Sequence, residues 1–316
     1  MPGSDDSWHP MRLAVFVLLA VLIYLGLFVW SNHILEPRSD RNPFFRITQA
    51  KPHTDWIVLG ASHALPLGFE GVPTMVRDVS GADTLTLAVA GGGPAVSRLV
   101  AERYFADHDA DGVLVVLDVF AFLDPRWNEA RLADADILPK IPADLQTLRV
   151  FIRAISRGLP ARTVLAYATG FSRINDQSRF ETDRWDAEAR FDSAPRPSDA
   201  ADAARISYLF PDIPSEATVE RAFADIEAMV RLARSHGTRI VLVYPPLPER
   251  FRTRMPDLSD IETRLAAEAG RLGVSLIDHR TLIPESRYYF DTDHLNRAGV
   301  ELWLVNGLSS ILHPSE

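Results

Sequence analysis

The chain predicts an α/β protein, a three-layer sandwich around a central, mainly parallel five-stranded sheet, with one transmembrane helix at its N-terminus. Three observations predict this. Five short apolar runs rich in β-branched residues are spaced between residues 55 and 279. Amphipathic segments with helix start and stop signals lie among them, and one long apolar run precedes them all. Continuous apolar strands suit a sheet covered on both faces. Strand, helix, strand in sequence implies parallel pairing through right-handed crossovers.

Taken in chain order, "MRLAVFVLLAVLIYLGLFVW" (residues 11–30) carries a single charge, Arg12. A span needs roughly 20 apolar residues, so this segment is expected to be a membrane anchor. The following "SNHILEPRSD" has no small-x-small cleavage site, which argues against a removed signal peptide. Residues 31–54 are mostly polar, contain prolines and lack periodicity; they read as a tether. Arg38, Arg41 and Arg46 follow the span, and only Arg12 and the amino terminus precede it. A positive-inside count would place the large domain in the cytoplasm, but long domains translocate regardless of such charges. Charge alone leaves the side open.

The globular domain is expected at 55–316. Its strand candidates are "DWIVLG" (55–60), "TLTLAVAGGG" (84–93), "GVLVVLDVF" (112–120), "TRIVLVYPP" (238–246) and "VSLIDH" (274–279). "PAVSRLVAERYFADH" reads as a helix after the second strand. "SEATVERAFADIEAMVRLARSHG" opens on Ser215, is acidic early and basic late, and closes on Gly237; that order complements the helix dipole. "DLSDIETRLAAEAGRLG" repeats the grammar before the fifth strand. Residues 124–214 break the rhythm and read as an insertion over the sheet, a lid or, for 172–205, a surface loop.

Bulk properties narrow the function. The 316 residues have a net charge of −9 and no long basic run, which argues against a nucleic-acid backbone binder. No cysteine is present, so disulfides, thiolate zinc sites and a cysteine nucleophile are excluded.

In a parallel sheet, ligands sit beyond the carboxyl ends of the strands. Ser62 lies just past one such end and needs a base to become a nucleophile. Of the nine histidines, His9 and His33 flank the span and His53 falls in the tether. His63 follows Ser62 directly, so on an extended stretch the two side chains diverge. Asp278 and His279 are adjacent at a strand end and point to opposite faces. Asp291 and His294 are three apart on a turn before a helical segment, a spacing that puts both on one side. A carboxylate there can hold one ring nitrogen while the other faces Ser62. The bland alternative makes Ser62 a helix N-cap and 291–296 a capped turn. Asp291, Asp293 and His294 also form a donor set suited to magnesium or manganese. The triplet Gly91, Gly92 and Gly93 lacks both G-x-G-x-x-G and a P-loop lysine, which weighs against nucleotide binding.

Gly60-Ala61-Ser62 resembles the first block of SGNH (GDSL-like) esterases, with alanine where aspartate is frequent. Asp291-Thr292-Asp293-His294-Leu295-Asn296 is similar to their last block, D-x-x-H. The resemblance implies an SGNH, flavodoxin-like sandwich with Ser62 as nucleophile, His294 as base and Asp291 as its orienter, Asp293 being the lesser alternative. It implies an oxyanion hole from the N–H groups of Ser62 and of Gly91 or Gly92. The asparagine block is unmatched: Asp118 stands in "LDVFAF" where G-x-N is expected, and an ionised carboxylate donates no hydrogen bond.

Joined to one N-terminal span, the resemblance implies a membrane-anchored esterase or O-acyltransferase with an extracytoplasmic domain and no cofactor. It would act on acyl esters of cell-surface glycans, with an acyl donor such as a multi-spanning protein of the MBOAT class as partner. Trp127, Trp185 and the arginines of the insertion would then serve as an acceptor platform. A catalytically inactive, membrane-tethered scaffold and a carboxylesterase for soluble substrates are the competing readings.

Overall fold

Five parallel strands in the order β2-β1-β3-β4-β5 form the centre of the protein, in a computed structural model that describes residues 8–35, 41–133, 141–176 and 187–313. The strands are β1 (His53–Gly60), β2 (Thr84–Thr86), β3 (Asp109–Val116), β4 (Arg239–Tyr244) and β5 (Ser275–Asp278). Val58 pairs with Thr86 on one side and Leu114 on the other, and Leu114 pairs with Val241.

Alternation along the strands builds the two outer layers. Ile57, Leu59, Val113, Val115, Ile240 and Leu242 share one buried cluster with the helices Pro94–Tyr104, Glu216–Ser235 and Ser259–Leu272. Trp56, Val58, Leu114, Val116, Val241 and Val243 share the other with the helices Val72–Ser80 and Arg297–Trp303. Side chains of period two supply both faces, which is why the strands read as unbroken apolar runs.

The second strand is shorter than its sequence suggests. Only Thr84–Thr86 is regular, yet the Leu87 N–H still donates to the Val58 carbonyl (2.8 Å) and the Val89 N–H to that of Gly60 (3.1 Å). Extended backbone therefore follows β1 to its end, and the chain turns away at Gly91, whose φ is +66°.

Of the two flanking segments, the first matches its expectation and the second does not. The N-terminal helix runs from Trp8 to Leu35, and its Pro10–Leu35 stretch, which holds an 18-residue window of mean hydropathy 2.8, is long and apolar enough to cross a membrane. The stretch read as a tether is not one throughout. Asn42 caps a helix at Pro43–Gln49, accepting from the Phe44 N–H at 3.0 Å, and Phe44, Phe45 and Ile47 are buried. An Asn-Pro start is a helix signal, hidden because seven residues, about two turns, are too few to show periodicity.

The insertion is largely helical in its described parts, with helices at Leu145–Ala154, Ala161–Thr169, Phe171–Asn175 and Asp199–Leu209. Trp185 lies outside the described residues.

Candidate functional site

β1 ends at Gly60, where φ is +143° and a Cβ would lie 2.6 Å from the Val116 carbonyl oxygen. No side chain fits that approach to β3, and the chain leaves the sheet there into a 3-10 helix, Ser62–Gly68. Its cap residue is Ala61, without a side-chain cap bond. The Ser62 hydroxyl is thus not spent as an N-cap. Instead Ser62 lines a cavity of about 490 Å³ together with His294, Gly91, Trp127 and Tyr208.

His294 arrives from a tight turn. The Asp291 carboxylate accepts from the backbone N–H groups of Asp293 (3.1 Å) and His294 (2.9 Å), and the Phe290 N–H donates to the His294 carbonyl (2.9 Å). Asn296 then caps the helix Arg297–Trp303, accepting from Gly299 N–H at 3.0 Å. This turn sets Nδ1 of His294 2.9 and 3.0 Å from the two Asp291 oxygens. Nδ1–H donates there, since a carboxylate can only accept. Nε2 faces Arg205 Nη2 at 3.4 Å; a guanidinium only donates, so these partners select the tautomer with a lone pair on Nε2. Asp291 is held below the usual carboxylate range: burial works against this, but its bonds to His294 prevail.

Asp293 has other partners. It is fully buried, with Arg205 Nε 3.0 and 3.1 Å from its oxygens, His63 Nε2 at 3.3 Å and His294 Nδ1 at 3.4 Å. Burial favours its neutral form, but His294, His63 and Arg205 outweigh it and depress its pKa strongly.

His63 corrects the sequence reading. Ser62–Gly68 is a 3-10 turn rather than extended chain, so His63 does not diverge from the site. Its ring stacks on that of His294, with centroids 4.8 Å apart. Its Nδ1 pairs with Asp118, beyond the end of β3. Burial favours the neutral ring, but Asp118 and Asp293 overcome it and push the pKa up to about 10. Asp118 thus sits where an oxyanion asparagine was expected, and its charge is committed to His63. The one sequence signal for His63 was its place beside Ser62.

The glycine triplet divides. The Gly92 N–H is spent on the Val89 carbonyl (2.8 Å) and that of Gly93 on the Trp127 carbonyl (2.6 Å). This removes Gly92 from the candidate oxyanion donors. Gly91 lines the cavity, packed beneath the Trp127 ring.

Three arginines complete the wall: Arg126, Arg131 and Arg205. Each is held at Nε, by Asp124 (2.7 Å), the Ala90 carbonyl (3.1 Å) and Asp293 respectively. Tyr208 lies between Arg126 and Arg205, 5.9 and 5.7 Å from its ring centre. Among the described residues, no carboxylate lines the cavity. The helix Asp199–Leu209, capped by Ser198, carries Arg205, Tyr208 and Leu209 into the wall. Sequence reasoning missed it because its apolar periodicity is weak. Trp127 is mostly buried, edge-on to Phe120 and Tyr208.

For a metal, His63, Asp293 and His294 offer ligand atoms within 4.8 Å of one another. The Arg205 guanidinium and the charge on His63 oppose a further cation there. The rejected pair separates: Asp278 binds Arg280 (2.7 Å), and His279 accepts from Trp303 Nε1 (2.9 Å).

No family model matches the chain, and no curated protein matches it. Among solved structures, a candidate acylhydrolase of Bacteroides fragilis aligns with TM-score 0.41 and 9% identity, over 84% of this chain and 88% of its own. A Streptococcus pneumonia protein described as a candidate platelet activating factor aligns with TM-score 0.39 and 12% identity, over 96% and 99%. Scores this low carry no argument about function.

Proposed function

We propose that the protein is a membrane-anchored serine esterase or O-acyltransferase of SGNH type. Ser62 is the nucleophile, His294 Nε2 removes its proton, and Asp291 fixes the ring through Nδ1. One observation carries the reading: Ser62 and His294 line one cavity, and His294 turns its Nδ1 to the Asp291 carboxylate. In the first step the Ser62 oxygen bonds the acyl carbon and its proton moves to His294. The tetrahedral oxyanion is met by the N–H groups of Ser62 and Gly91. Collapse expels the leaving alcohol, protonated by His294, and leaves an acyl-serine. Water or a sugar hydroxyl, deprotonated by His294, then takes the acyl group and frees Ser62.

The wall suggests the acceptor class. Arg forks held at Nε suit carboxylates and phosphates, and Trp127 and Tyr208 suit a sugar face. The acceptor is therefore read as an anionic glycan at the cell surface, the domain as extracytoplasmic, and the acyl donor as a membrane partner of the MBOAT class. A periplasm-only reporter fused after Glu316 tests the side.

The competing reading, an inactive scaffold, is favoured by Asp118, which leaves the hole without a side-chain donor. One lost donor costs about 10²- to 10³-fold in rate. Hydrolysis of p-nitrophenyl acetate by the full chain in detergent decides between them. Turnover that is lost in Ser62→Ala and survives chelator supports the enzyme. No turnover by the folded wild type supports the scaffold.

A further inference from the structure

The helices between residues 145 and 175 present an unusual surface. Of the eight large apolar side chains exposed outside the N-terminal helix among the described residues, five lie here: Leu145, Ile152, Ile155, Leu165 and Phe171. Leu165 is 65% and Phe171 56% exposed. The same stretch holds five arginines and no acidic residue, in a chain of net charge −9. Arg149, Arg153 and Arg162 are exposed among the apolar side chains. On Leu145–Ala154, Leu145, Arg149, Ile152 and Arg153 fall on one face at spacings of four, seven and eight, while Val150, Phe151 and Ala154 pack inward. An apolar face edged by arginine is the pattern of helices that lie in a membrane interface.

The N-terminal helix supplies the placement. Tyr24 donates its hydroxyl to the Thr169 carbonyl (3.0 Å), Phe28 lies 4.8 Å from the Arg173 guanidinium, and Asn32 accepts from the Ala143 N–H (3.0 Å). Positions 24, 28 and 32 form one stripe of that helix. A Cβ on Gly170 would lie 2.4 Å from the Phe28 ring, so the approach requires glycine. Thr169 ends the exposed face that carries Arg162 and Leu165. If the apolar run spans a bilayer, Tyr24 lies about 9 Å before its end at Trp30 and Asn32 lies just past it, so what packs on this stripe straddles the boundary between acyl chains and headgroups.

We propose that the helices Leu145–Ala154, Ala161–Thr169 and Phe171–Asn175 form a membrane-docking face, Leu165 and Phe171 entering the acyl boundary and Arg149, Arg153 and Arg162 binding lipid phosphates. The face then fixes the domain against the bilayer instead of leaving it on a loose leash. The inference rests on the N-terminal helix being a span, and not on the chemistry of Ser62.

The absence of cysteine allows a direct test. The full chain carrying Phe16→Cys, Leu165→Cys, Phe171→Cys or Ile213→Cys is labelled with an environment-sensitive fluorophore in phosphatidylglycerol nanodiscs. Quenching by nitroxide lipid and by aqueous iodide is compared. The proposal expects a lipid-to-iodide ratio severalfold higher at 165 and 171 than at 213, falling when Arg149, Arg153 and Arg162 are changed together to glutamine. Lipid quenching at 16 with iodide-dominated quenching at 165 and 171 overturns the docking face. No lipid quenching at 16 overturns the span, and the docking face with it. Neither result bears on ester hydrolysis.

Discussion

The His63 imidazole is stacked on the His294 ring with planes 29° apart, and it is tied to Asp118 at one nitrogen and Asp293 at the other. A buried cation is therefore part of the wall that holds the proposed base. Its pKa in the folded protein, about 10, lies above the ordinary 6.5. Its stabilisation is complete below pH 6.5 and is lost as pH rises through about 10. His63→Gln leaves two buried carboxylates short of a partner, at a cost of roughly 3–5 kcal/mol. Thermal unfolding in detergent should show the wild type declining across this window. His63→Gln should be less stable at pH 6, and its curve should converge with the wild type toward pH 10. Parallel curves would contradict the charged assignment.

Asp291 and Asp293 should separate when each is changed to asparagine. Asp291→Asn keeps an oxygen for the turn's N–H groups but offers His294 Nδ1 no charge. Ester turnover should fall about 10²- to 10⁴-fold with little change in melting temperature. Asp293→Asn removes the anion shared by His63 and Arg205, and its main effect should be on stability. A comparable turnover loss in Asp293→Asn with none in Asp291→Asn would show that Asp293 orients His294.

Gly91 and Gly92 make a paired test of the oxyanion hole. Gly91→Ala places a Cβ 3.2 Å from the Trp127 ring at a φ of +66°, which shifts the backbone bearing the proposed donor. A loss of about 10²-fold in the rate of acyl-enzyme formation is expected. Gly92→Ala presses a Cβ against Val89 at 3.0 Å and should act on stability. Unchanged acylation in Gly91→Ala would remove that N–H from the mechanism.

Arg126 and Arg131 predict a charge preference. The kcat/KM for an ester carrying a carboxylate should exceed that for its neutral isostere. The ratio should fall severalfold in Arg131→Gln and again on raising salt. A ratio of one in the wild type would remove the anionic acceptor from the reading and leave the esterase standing.

The sequence showed the strands because each face of the sheet is covered, and it showed Asp291 and His294 because their spacing survives in any tight turn. It hid what depends on turns away from the sheet. His63 was placed on extended chain because nothing local announces the 3-10 helix at Ser62. Its partner Asp118 comes from another strand end, 55 residues away. The segment 43–49 read as polar although its core contacts are made by Phe44, Phe45 and Ile47. Arg205 reaches the site from a helix whose alanine-rich stretch lacks an apolar stripe. Such placements are set by tertiary packing rather than by local pattern.

The central claim is that the Ser62 oxygen is an activated nucleophile, and covalent labelling tests it most directly. The full-length protein is treated with a fluorophosphonate, and the adduct is located by peptide mass mapping. The account predicts one adduct, on Ser62, absent from Ser62→Ala and strongly reduced in His294→Ala. No adduct on the folded wild type, or one that persists in Ser62→Ala, would contradict it.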